Sequence, residues 1–149
     1  MSDDRLKLAA LDAEDLAVIS AHLQDAVLKV EDMMWLPREH RFAAVVNRFD
    51  WEHGRSRRRG PWRRQRTGLS FERVMAAQVS RVRMTAGDAV LSILAIGFEP
   101  AEPPGGTVTL HFSGGAAVRL TVECIEARLA DLGPAWKTAS RPRHDVEES

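Results

Sequence analysis

A single cysteine, Cys124, leaves this chain without an internal disulfide and without a zinc site built from cysteines. Long apolar runs are also missing. The longest, Ala89 to Phe98, is interrupted by Ser92 and Gly97 and is too short to span a bilayer. The start, Met1-Ser-Asp-Asp-Arg5, is acidic and reads as neither a signal peptide nor an anchor. A soluble, cytoplasmic protein with no membrane partner is the expectation. His22, His40, His53, His111 and His144 are scattered without an HExxH or comparable spacing, so neither a metal nor another cofactor is expected. There is no GxSxG and no Walker sequence, and Gly114-Gly115 is not followed by a phosphate-binding helix. No catalytic residue is nominated, and an enzyme is the less favoured class.

Lysine is scarce too, at Lys7, Lys29 and Lys137 only, so the positive charge is carried by arginine. The formal net charge is zero, yet the signs are segregated: residues 38 to 83 hold thirteen Arg against Glu39, Asp50, Glu52 and Glu72, a local net of +9. A neutral total therefore hides a dipolar molecule, which bears on partners rather than on fold. At 149 residues the chain is long enough to bury a substantial core, and one domain over 1–136 is expected, followed by a disordered polar tail, 137–149.

What the sequence has is alternation. Val108, Leu110 and Phe112, then Val118, Leu120 and Val122, recur with period two on either side of Ser113-Gly-Gly-Ala116, which predicts an antiparallel hairpin. Leu6 to Ala10 predicts a short edge strand. Asp12 predicts an N-cap for a helix from Ala13 to about Leu23. Ala26, Leu28 and Val30, then Met34-Trp-Leu36, alternate again. Arg41 to Trp51 predicts a long strand with Phe42, Ala44 and Val46 on one side. Its other side, Val45, Asn47, Phe49 and Trp51, is too apolar for plain solvent surface, which marks it as a candidate homodimer face. Residues 53–66 lack periodicity and read as a mobile Arg-rich loop. Leu69 and Phe71 resume a strand whose phase shifts at Arg73-Val74, as at a β-bulge. Ala89 to Phe98, apolar on both faces, predicts a central strand. Val122, Ile125, Leu129 and Leu132, three or four apart and ended by Gly133-Pro134, predict a C-terminal helix. The sum is a mainly β (α+β) fold: a PH-like antiparallel β-barrel or sandwich of about seven strands, with an N-terminal helix and a C-terminal capping helix.

Five further stretches carry a family resemblance: Leu36-Pro-Arg38, Asn47-Arg-Phe-Asp-Trp-Glu52, Phe98-Glu-Pro100, Val122-Glu-Cys-Ile-Glu-Ala-Arg-Leu-Ala-Asp-Leu-Gly-Pro-Ala-Trp136 and Ser140-Arg-Pro-Arg-His144. Together they resemble a family of small alphaproteobacterial proteins defined as a domain of unknown function. The resemblance covers nearly the whole chain and implies no assigned activity and no site residues.

Two constellations bear on function. In the first, Arg55, Arg57, Arg58, Arg59, Arg63, Arg64 and Arg66 would neutralise an acidic partner, protein or RNA, while Trp62 would stack on an unpaired base. The simpler reading is a solvated loop, and no ribonucleoprotein, KH or helix-turn-helix signature accompanies it. In the second, Asn47, Arg48, Asp50, Trp51 and Glu52 would form a polar pocket at a barrel mouth, against the simpler reading of a strand end with ordinary ion pairs. The expectation is a non-enzymatic binding or adaptor module whose surface runs from Arg48, Asp50 and Trp51 to Arg66. The alternative is a small enzyme or ligand-binding protein centred on Asn47, Asp50 and Glu52.

Overall fold

The computed structural model describes residues 5–49, 62–133 and 136–138, with the backbone alone described at 62–63 and 136–138. Its one α-helix among these residues is α1 (Ala13–His22). Asp12 caps it as the sequence predicts: the Asp12 carboxylate accepts from the Asp15 backbone N–H at 2.8 Å, and Glu14 and Asp15 sit where the helix dipole favours negative charge. The strands are β1 (Lys7–Ala10), β2 (Val27–Lys29), β3 (Met33–Leu36), β4 (Arg41–Phe49), β5 (Trp62–Phe71), β6 (Val74–Ser80), β7 (Val90–Pro100), β8 (Gly106–Phe112), β9 (Ala117–Val122), β10 (Ala127–Asp131) and β11 (Trp136–Thr138).

All pairings are antiparallel, and the order is β1-β10-β5-β4-β2-β7-β8-β9-β6, with β3 added to β4 and β11 to β5. β7 joins the two halves. Its first residues, Val90 to Ser92, pair with β2, and Ile93 to Pro100 pair with β8, so the expected central strand does lie centrally. A bulge between Ile93 and Ala95 bends it, and the Ile96 backbone N–H donates to Ser20 Oγ of α1 at 2.9 Å. α1 thereby lies against β7 and drives Leu16, Ile19 and Leu23 into the core. There they meet Phe42 and Val46 of β4, Leu69 and Phe71 of β5 and Leu110 of β8, all buried. Each such side chain contributes about 1.5–3 kcal/mol on burial.

The predicted hairpin of β8 and β9 forms, with Leu110 opposite Val118 and with Gly114 and Gly115 at φ 78° and 81° in the turn.

Four expectations are corrected. Residues 127–131 form β10 instead of a C-terminal helix, inserted between β1 and β5, with Leu129 opposite both Leu8 and Leu69. The apolar residues there fit both periods, and two ready strand neighbours decide between them. The closed PH-like barrel with a C-terminal plug is not formed either: the sheet runs from edge β1 to edge β6, and the helix is N-terminal. The Arg-rich loop ends earlier than expected, because Trp62 to Arg66 already belong to β5, Phe49 of β4 facing Arg64. Lys137 and Thr138, assigned to a disordered tail, pair with β5 as part of β11. The rest of both segments, 53–61 and 139–149, lies outside the described residues.

Candidate functional site

β4 has two faces, and the difference between them builds the site. Phe42, Ala44 and Val46 point inward, and the same alternation carries Arg48 into the interior, where it is 2% exposed. Its charge is met there. Arg48 Nε donates to Asp131 Oδ1 at 3.1 Å and Nη2 donates to Oδ2 at 2.8 Å, a bidentate pair. Asp131 also accepts from Thr67 Oγ1 at 2.8 Å and from the Leu6 backbone N–H at 2.7 Å. One carboxylate thus ties β4, β5, β10 and the entry to β1. Arg48, expected on an accessible basic surface, is instead a buried fastener.

On the opposite face the side chains are small. Two cross-strand rows run over it: Met34, Ala43, Ser70 and Arg128, then Val45, Gly68, Ala130 and Lys7. Ala43, Gly68 and Ala130 leave a groove of about 380 Å³ whose floor they form with Val45 and Ser70. Met34 and Asp32 stand at its β3 rim, and Arg128 and Leu132 at its β10 rim. Met34 and Leu132 are more than half exposed. A Cβ on Gly68 would reach Leu132 Cδ2 at 3.5 Å, an ordinary contact, so only a larger side chain would fill the groove. Arg66 is exposed on the same face, opposite Asn47. Among the described residues, neither Asp32 nor Arg128 forms an ion pair.

Arg64 sits on this face one row further along, half-buried, with its guanidinium 4.2 Å from the centroid of the Phe49 ring. Burial pushes its pKa below the ordinary arginine value. Its Nη1 is buried with no hydrogen-bond acceptor among the described residues, so the ring face is its electrostatic complement. Gln65 points the other way and is buried, its amide donating to the Gly133 carbonyl and to the Arg66 carbonyl.

Of the residues singled out in the sequence, the described structure therefore brings together Asn47, Arg64 and Arg66 on the outer face and separates Arg48 from them. Trp62 and Arg63 are placed by their backbone, opposite Thr138 and Lys137. Asp50, Trp51, Glu52, Arg55, Arg57, Arg58 and Arg59 lie outside the described residues. Sequence reasoning missed Asp131 and the small residues of the groove. The signal for Asp131 was there: in Ala127-Arg-Leu-Ala-Asp131 it falls on the buried phase of a strand, the one carboxylate in that row.

A second polar cluster lies at the corner between β5 and β6. Arg41 Nε donates to Glu72 Oε2 at 2.7 Å and its Nη1 lies 3.3 Å from Glu39, while Arg73 reaches Glu126 at 3.5 Å and Glu123 at 4.0 Å. Its hydrogen bond to Glu72, reinforced by that carboxylate's charge, raises the Arg41 pKa above its ordinary value. His40 and Arg73 both have left-handed backbones here, at φ 53° and 61°. No group of three or more His, Cys, Asp or Glu among the described residues is arranged to hold a metal ion. No described helix is long and apolar enough to cross a membrane.

Compared with known families, residues 6–144 match the model described as "Protein of unknown function (DUF2948)". The chain belongs to this family. Neither the curated proteins nor the solved structures give a match.

Proposed function

We propose that this DUF2948 protein is a non-enzymatic binding module whose docking surface is the outer face of β3, β4, β5 and β10, and that its partner is an acidic protein segment. The carrying observation is the groove itself: an open apolar floor of small residues with Arg66, Arg128 and Lys7 beside it on the same sheet face. Small floor residues let a partner's backbone or an apolar side chain approach the sheet closely, and a basic surround steers negative charge towards it. A rigid floor is what a recognition surface needs, and the Arg48–Asp131 pair directly behind it supplies that rigidity. Arg55, Arg57, Arg58, Arg59, Arg63 and Arg64 would extend the basic character along the chain that leads into β5, in the cytoplasm.

Selection from a displayed peptide library tests this. Enriched peptides should combine Asp or Glu with an apolar anchor, bind more weakly as salt rises, and lose at least tenfold in affinity when Arg66→Glu and Arg128→Glu are combined or when Gly68→Leu fills the groove. Peptides without acidic enrichment, or binding indifferent to these variants, would overturn the assignment. So would retention of RNA in preference to any peptide.

A further inference from the structure

The two edges of the sheet are treated differently. β1 is four residues long and carries Lys7, with Arg5 just before it, which is how natural edges resist pairing with other chains. β6 has no charge within the strand, Arg73 and Arg81 standing only at its two ends. Its sequence, Val74-Met-Ala-Ala-Gln-Val-Ser80, contains no charge and no proline, and six of its residues are at least partly exposed. A bulge lies between Val74 and Ala76, and beyond it Ala76 to Ser80 run in unbroken register along β9. Towards the open side, only the Val74 N–H is engaged among the described residues, donating to the His40 carbonyl at 2.9 Å. The outward backbone groups of Ala76 to Ser80 are left to solvent. Val79 lies on the core side of the sheet, opposite the fully buried Val118, yet is 47% exposed because nothing stands beside it.

We propose that β6 pairs antiparallel with β6 of a second copy of this chain, about a two-fold axis passing beside Gln78. The run is self-complementary in that arrangement. Ala76 of one copy stands opposite Ser80 of the other, Ala77 opposite Val79, and Gln78 opposite Gln78. Small thus meets small on the outer side, the apolar pair continues the core row of Leu120 and Val118, and the two Gln78 amides are within reach of each other. Within the paired run Ala76 to Ser80 no like charges are brought together: Arg119 lies one strand behind Gln78, so the two copies of it stand about 14 Å apart, beyond the Debye length at physiological salt. The complex is a continuous sheet through both copies, with the groove free on each.

Such a short strand pair makes a weak, concentration-dependent dimer. Sedimentation equilibrium on the full chain should show the apparent mass rising from 16.6 kDa towards twice that value as concentration increases. Val79→Lys should hold the protein at the monomer mass, whereas Arg128→Glu on the groove rim should not. A symmetric cross-link reads the register independently of any loss of stability. In a Cys124→Ser background, Gln78→Cys should form a disulfide-linked dimer under mild oxidation, because residues directly opposite on antiparallel strands have Cα atoms about 4.5–5.5 Å apart, within disulfide reach. Ala76→Cys should not. A parent that stays monomeric at all concentrations, or a Gln78→Cys variant that cross-links no better than Ala76→Cys, would overturn the proposal. Loss of the dimer with Arg128→Glu but not with Val79→Lys would do the same, by placing the interface on the groove.

Discussion

Arg48 with Asp131 and Arg73 with Glu126 are the same chemistry in two places. The first pair has side chains 2% and 1% exposed, and the second 60% and 31%. Inside, water cannot replace a lost partner, so the carboxylate collects four donors from three other segments and becomes a point through which β4, β5 and β10 are held in register. At the corner each partner is already well solvated, and the pair adds little beyond orientation. Burial, more than charge, decides which arginine is structural and which is available to a partner.

The contrast is sharpest if the interior pair is broken. Asp131→Ala should cost about 3–5 kcal/mol in urea unfolding, because it strands the Arg48 charge in the core. Replacing both residues together, Arg48→Met with Asp131→Leu, should recover part of that loss, since no charge is stranded and only the Thr67 hydroxyl and the Leu6 N–H lose their acceptor. Thr67→Val removes one of the four donors and leaves the ion pair intact. A loss of about 1.5–3 kcal/mol is expected by the same measurement. Gly68→Leu lies on the opposite side of the same sheet and should change stability by less than about 1 kcal/mol while abolishing peptide binding, which separates the fastener from the surface it supports. Smallest of all, Arg73→Ala should cost roughly 0–1 kcal/mol, with an effect that shrinks further in high salt. If Arg73→Ala proved as damaging as Asp131→Ala, the distinction between the two sites would collapse.

Much of the fold was legible from residues close together in the chain. Asp12 announces α1 because capping involves a contact only three residues long. Gly114-Gly115 announces the β8 and β9 hairpin because the turn needs positive φ and the flanking alternation needs only one core face. The site was legible in part. The unusual second face of β4 was visible as Val45, Asn47 and Phe49, and Val45 does line the groove. Gly68 and Ala130 were not visible as its floor, because the rows that assemble it cross strands far apart in sequence. The Arg-rich approach to β5 hid a strand because Trp62-Arg-Arg-Gln-Arg66 has no alternation of apolar and polar residues to read.

Local sterics and two-residue alternation were enough to specify one helix, most of the strands and the buried rows of β4, β5, β8 and β9. Residues 127–131 show where that stops. Ile125 and Leu129 belong both to the helical stripe with Val122 and Leu132 and to the strand face with Ala127, and the choice falls to β1 and β5, whose pairing edges come from residues far from this segment in the chain. Arg48 is the same lesson in charge. Its inward phase is local, but its tolerance of the interior depends on Asp131, 83 residues away, and no rule of short range can supply that partner.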